Sequence, residues 1–194
     1  MKDKSPKTKN ILSAAKMLFW KHGIKRVTVE EICREAGCSK MTFYRQFENK
    51  SVVAAEVLEV ISEEGQASFK ALRETNLPFH QKLLEIVKLK NESSKEISRE
   101  FVEDILREED PILMAKMAEL RTKGQHEFKS FLAEAQSQGH IDKDLNLDFV
   151  MTFTDRISHL AIDPMLQSHF ETPEGLIEAL TSIFLFGIES RKDD

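Results

Sequence analysis

Apolar residues recur at helical spacing along almost the whole chain. Ile11, Ala14, Ala15, Leu18 and Phe19 form an i, i+3, i+4, i+7, i+8 stripe. Ser5-Pro6 starts that helix, with proline at its first position, and Gly23 ends it. A shorter stripe of Val29, Ile32, Cys33 and Ala36 begins behind Thr28, which with Glu31 makes a capping box. Gly37 closes it in a left-handed conformation. Ser39 then caps a third helix in which Phe43 and Phe47 face inward. Asn49 caps a long helix from about Lys50 to Glu74, with Val53, Val57, Val60, Ile61, Phe69 and Leu72 apolar and Gly65 a candidate bend.

Asn76 to Pro78 is a break, and Phe79 to about Lys90 is helical through Leu83, Ile86, Val87 and Leu89. The run NESSKEIS fits an exposed helical turn or a loop. Phe101, Val102, Ile105 and Leu106 mark a short helix. Asp110-Pro111 starts a long one through Leu113, Met114, Met117, Leu120, Phe128, Phe131, Leu132 and Ala135, interrupted by Gly124 and stopped by Gly139. A final pair spans Leu147 to about Asp163 and Pro173 to about Arg191. No strand-like alternation competes with this, so the fold class is all-α.

The segment from Thr28 to Lys50 is the most informative. Two short helices around a glycine turn, the second rich in hydrogen-bonding side chains, predict a helix-turn-helix DNA reader. Lys40, Met41, Thr42 and Arg45 lie at the start and outer face of the second helix and are the candidates for reading bases. Thr28, Tyr44 and Lys50 are candidates for phosphate contacts, with Ser39 at the recognition-helix cap. The organisation expected is a head, residues 1–48, and a helical ligand-sensing and dimerisation domain, residues 49–194.

The stretch Ile11 to Val53 resembles the DNA-binding domain of the tetracycline-repressor-like (TetR/AcrR) transcription regulators. Ala15, Leu18-Phe19, Gly23, Thr28-Val29, Ile32, Ala36-Gly37, Ser39, Thr42, Tyr44, Phe47 and Lys50 carry the resemblance, over about a quarter of the chain. The departures are Cys33 for the usual alanine, Met41 for glycine, and Phe43 and Val53 for leucine. Met41 sits on the recognition helix, so this departure bears on the details of base reading. The resemblance implies that the helix after the head links it to the body, and that the last two helices form a dimer. Phe153, Leu180, Ile183, Phe184 and Gly187 are the interface candidates, with the apolar surplus of Ile183-Phe184-Leu185-Phe186 at its centre.

Charge changes the picture once it is split along the chain. The 194 residues carry a net −5. Residues 1–50 hold 12 Lys+Arg against 5 Asp+Glu, a net of +7, leaving 16 against 28, a net of −12, for the rest. A basic head on an acidic body suits attraction to phosphate at one end. Lys2, Lys4, Lys7 and Lys9 form a basic arm in front. No apolar run reaches the length of a membrane span, so a cytoplasmic protein is expected. Cys33 and Cys38 read as small buried hydrophobes, and no second Cys/His pair has zinc spacing.

No nucleotide, zinc-protease or nucleophile-elbow motif occurs, so neither an enzyme nor a cofactor is expected. The body is expected to sense a small apolar or amphipathic molecule in a cavity between the linking helix and the Asp110–Gly139 helix. Phe101, Met114, Met117, Phe128 and Phe131 would line it, and Asp155 and His159, on the polar stripe of the penultimate helix, would orient the ligand. A plain packed core explains the same apolar stripes. The reading as a whole is a homodimeric regulator, a repressor released from a palindromic operator by its effector. The rival is an all-α dimeric interaction module whose head no longer binds DNA.

Overall fold

The computed structural model describes residues 4–94, 97–107, 109–160 and 163–187. Local capping chemistry sets the boundaries of the first helices. Ser5 Oγ accepts from Thr8 N–H at the start of α1 (Pro6–His22). At α2 (Val29–Glu35), Thr28 Oγ1 accepts from Glu31 N–H at 3.2 Å while the Glu31 carboxylate accepts from Thr28 N–H at 2.8 Å, which completes the capping box. The end of α2 is a Schellman turn: Cys38 N–H donates to the Cys33 carbonyl, Gly37 N–H to that of Arg34, and Gly37 takes φ +62°. Ser39 caps α3 (Lys40–Gln46) through Thr42 N–H, and Asn49 caps α4 (Lys50–Arg73) through Val52 N–H.

The remaining elements are α5 (Phe79–Ser94), α6 (Arg99–Leu106), α7 (Pro111–Ser137), α8 (Leu147–Leu160), α9 (Pro164–Gln167) and α10 (Pro173–Gly187). Every element among the described residues is a helix. One boundary and one added helix differ from the sequence reading. The polar run after Lys90 continues α5 as far as Ser94. α8 is described as far as Leu160, residues 161–162 lying outside the described residues, and Asp163 caps the short α9 through Met165 and Leu166 N–H, a helix that four residues were too few to announce. α10 is described as far as Gly187, and the expected continuation to Arg191 lies outside the described residues, as does Lys2 of the basic arm. Neither Gly65 nor Gly124 interrupts its helix.

The chain forms two compact units. The first comprises Met1–Glu64 and Glu96–Thr122. Its core joins Ile11, Ala15 and Phe19 of α1, Ile32 of α2, Phe43 of α3 and Val53, Ala54 and Val57 of α4 to Phe101 of α6 and Leu113 of α7. α6 is fastened to the end of α1: Ser98 N–H donates to the Trp20 carbonyl at 2.9 Å, and the Trp20 and Phe101 rings lie 5.3 Å apart. Asp110 caps α7 through Ile112 and Leu113 N–H and accepts the Ser51 hydroxyl at 2.6 Å, which holds its carboxyl below the usual range.

The second unit comprises Gly65–Lys95 and Lys123–Asp194. Its core gathers Leu72, Phe79, Leu83, Ile86, Phe131, Leu132, Ile141, Val150 and Phe184, with α10 against α5. Aromatic rings pack together within it: Phe131 has Phe69 at 5.5 Å and Phe79 at 5.8 Å. Gly139, at φ +78°, ends α7 in a second Schellman turn, with His140 N–H on the Ala135 carbonyl.

Candidate nucleic-acid interface

Phe43 and Phe47, 0% and 2% exposed, lock α3 into the first unit's core, with ring centroids 5.8 Å apart. Thr8 of α1 donates to Gln46 at 2.9 Å and ties down the other end of α3. The opposite face is left to solvent. Met41 is 79% exposed, Tyr44 is 55% exposed, and Lys40 and Arg45 are exposed beside them. Thr42 is half-buried, its hydroxyl 3.1 Å from that of Ser39. Lys40, Met41, Thr42, Tyr44 and Arg45 therefore come together on one short helix, behind the Ser39 cap.

Two of the other candidates already have partners within the chain. Thr28 is exposed but spends its hydroxyl in the capping box, donating to Glu31 while accepting from its N–H. Lys50 is built into the fold: its Nζ donates to the carbonyls of Ile24 at 2.7 Å, Lys25 at 3.1 Å and Val27 at 2.8 Å. In the free chain Lys50 clamps the loop from α1 to α2. On its other side that loop is held by Asp104 of α6, which accepts from Lys25 N–H at 2.9 Å.

Sequence reasoning missed Glu30, whose carboxylate on the first turn of α2 pairs with Lys40 Nζ. It also missed the clamping role of Lys50. Both contacts join residues ten or more positions apart, beyond the reach of helical periodicity. Cys33 is buried, and Cys38 is half-buried. Burial, with Cys38 alongside, pushes the Cys33 thiol up to about 11, so it stays protonated and behaves as a small hydrophobe.

The effector candidates are distributed over both units. Phe101 is core of the first, where Met114 is 53% exposed and Met117 half-buried. Phe128 and Phe131 belong to the aromatic core of the second, where Asp155 is half-buried and His159 exposed. A pocket of ≈ 50 Å³ opens in the second unit among Arg73, Phe79, Lys82, Phe131, Glu134 and His140. It has room for water, whereas drug-sized ligands need roughly 300 Å³ or more, and Phe131 is the one candidate that lines it. Among the described residues no three His, Cys, Asp or Glu side chains gather as a metal site.

Of the interface candidates, Ile183 is 73% and Phe153 47% exposed, Leu180 is half-buried, and Gly187 is the last residue of α10. Phe149 stacks on Phe153 at 6.0 Å and is 62% exposed. Phe184, expected at the interface centre, is 6% exposed within the single chain, with the rings of Phe128 and Phe153 at 6.5 and 6.3 Å. Its side chain belongs to the subunit's own core, and among the described residues of α8 and α10 Ile183, Phe153 and Phe149 are exposed; the side chains of Leu185 and Phe186 lie outside the described residues. No helix of the described residues is long and apolar enough to cross a membrane.

Residues 11–57 match the family model described as bacterial regulatory proteins, tetR family. No curated protein matches the sequence. Solved structures match over almost the full length. The fatty acid degradation regulator FadR from Bacillus halodurans has a TM-score of 0.73 at 18% identity, with 97% of this chain and 100% of that one covered. A TetR-family transcriptional regulator from Cytophaga hutchinsonii gives 0.75 at 14%, covering 98% and 100%. FadR from Bacillus subtilis in complex with stearoyl-CoA gives 0.71 at 16%, covering 93% and 98%. Residues 11–57 thus resemble the tetR-family bacterial regulatory proteins, and the chain has the fold of the transcriptional regulators it is similar to.

Proposed function

We propose that the protein is a cytoplasmic transcriptional repressor that binds a palindromic operator as a homodimer and releases it when a small molecule binds the body. Residues 1–48 read the DNA and residues 49–194 sense and dimerise. The observation that carries the reading is the two-sidedness of α3: Phe43 and Phe47 fix the helix from within while Lys40, Met41, Tyr44 and Arg45 stand in solvent. Arg and Lys suit guanine, the methyl groups of Met41 and Thr42 suit thymine, and the Tyr44 hydroxyl suits phosphate. The net +7 of residues 1–50 supplies the attraction. Two such helices related by a two-fold axis would enter major grooves one helical turn, ~34 Å, apart.

The effector we infer is apolar or amphipathic, a class for which the stearoyl-CoA held by a protein of the same fold offers a precedent. Such a ligand must bind the DNA-incompetent state more tightly; a preference of about 3 kcal/mol shifts the balance roughly 150-fold. The test is a gel shift on the DNA flanking the protein's own gene, repeated with long-chain acyl-CoAs and other amphiphiles. A retarded complex, competed by specific but not scrambled duplex and dissolved by at least one amphiphile, is expected. Equal competition by scrambled duplex would overturn specific binding, and a complex indifferent to every ligand would overturn release by an effector of this class.

A further inference from the structure

The first turn of α2 carries a carboxylate at the edge of the face that the proposed DNA contact uses. Glu30 is the second residue of α2, and it accepts from the Nζ of Lys40, the first residue of α3. Both side chains are 57% exposed, so the pair stands on the surface, where an ion pair adds little to stability. The hydrogen bond holds Glu30 below the usual carboxylate range and Lys40 above its own, so both remain charged at neutral pH.

A carboxylate on a phosphate-facing surface weakens binding to every sequence alike. Its chemistry gives something specific in return. Ionised Glu30 is acceptor only, and Lys40 is donor only. In the major groove a carboxylate is matched by an exocyclic amino group, such as cytosine N4, and repelled by the guanine O6 and N7 and thymine O4 acceptors. An ammonium has the opposite preference and is matched by guanine O6 and N7. Held together, the two side chains present a donor beside an acceptor, the complement of the two edges of one G·C pair.

We propose that Glu30 is a specificity-determining residue: with Lys40 it reads a G·C base pair in each half-site, Lys40 donating to guanine and Glu30 accepting from cytosine N4. This inference rests on the reading of the protein as a sequence-specific DNA binder. Wild type, Glu30→Gln, Lys40→Gln and the double variant are each used to select duplexes from a randomised pool. Affinity for the wild-type optimum and for a scrambled duplex is then measured across a salt series.

Wild type is expected to select G·C at one symmetric position of each half-site. Glu30→Gln loses that preference by about tenfold and keeps the others. It also binds scrambled duplex more tightly, with a salt slope steeper by about one as Lys40 turns to phosphate. Lys40→Gln relaxes the same position, and the double variant is no worse there than the worse single one. A Glu30→Gln profile identical to wild type, or a relaxed position different from that of Lys40→Gln, overturns the inference and leaves DNA binding standing. A wild-type protein that selects no sequence overturns both.

Discussion

Lys50 shows how the role of a single side chain turns on contacts that its sequence position conceals. At the start of a helix behind a recognition helix, a lysine invites assignment to phosphate. Here its ammonium is held by three carbonyls from the loop that aims α2. Hydrogen bonds to charged groups are worth about 1.5–3 kcal/mol each in isolation and are not additive. For this half-buried site we expect Lys50→Ala to lower stability by about 2–3 kcal/mol in urea denaturation. The salt slope of DNA binding, measured where the variant is folded, should stay unchanged. A phosphate contact predicts the reverse, a flatter slope by about one with little loss of stability. The contacts legible in the sequence were those inside one turn of chain, such as Thr28 with Glu31 and Ser39 with Thr42. Lys50 with Ile24 and Glu30 with Lys40 cross between elements, and nothing in the spacing of apolar residues records which polar tips will meet.

At the scale of elements, α6 is as much a part of the first unit's core as the three helices of the head. Gly23 shows why the fit is tight. Its φ of +81° with ψ of 161° is a region that only glycine occupies comfortably. A Cβ there would come within 2.7 Å of Asp104 Oδ2 and 3.2 Å of the Glu100 carbonyl carbon. The Asp104 side chain could swing aside only by releasing Lys25 N–H, and the α6 backbone cannot swing at all without moving the helix. Gly23→Ala should therefore destabilise the protein by on the order of 2–3 kcal/mol, measured by urea denaturation, and loosen α6, seen as faster amide exchange at Ser98. A variant with wild-type stability would mean that α6 is not held there. The sequence marked Gly23 as a helix stop and Phe101 as apolar. That the two belong to one junction depends on the packing of segments some eighty residues apart.

For the whole molecule, the proposed dimer must use apolar surface that the single chain leaves uncovered. Neighbouring residues on α10 separate the two roles. Ile183 is 73% exposed and Phe184 6%. Placing a carboxylate at Ile183 disturbs nothing inside the subunit but buries an unpaired charge twice in a two-fold interface. Ile183→Glu should therefore give folded monomers by light scattering, with wild-type helicity and much weaker operator binding. Phe184→Glu puts the charge in the subunit's core, and should cost roughly 3–5 kcal/mol of stability whatever the oligomeric state. An Ile183→Glu protein that remains dimeric would place the interface elsewhere. Hydrophobic patterning identified both residues without distinguishing them, because burial against one's own helices and against a second copy leaves the same apolar stripe.

The two faces of α3 answer to different pressures. The inner one is governed by packing and tolerates little. On the outer one, exchanges away from caps and networks typically change stability by under about 0.5 kcal/mol. Met41 and Arg45 can therefore be rewritten almost without reference to the rest of the chain. Under the proposed DNA-reading role, a gene duplicate of this protein would acquire a new genomic address through a few substitutions on seven residues of helix, keeping its scaffold and its proposed response to a ligand. In engineering terms the reading head is interchangeable lettering on a fixed press, with Phe43 and Phe47 keeping the type in register.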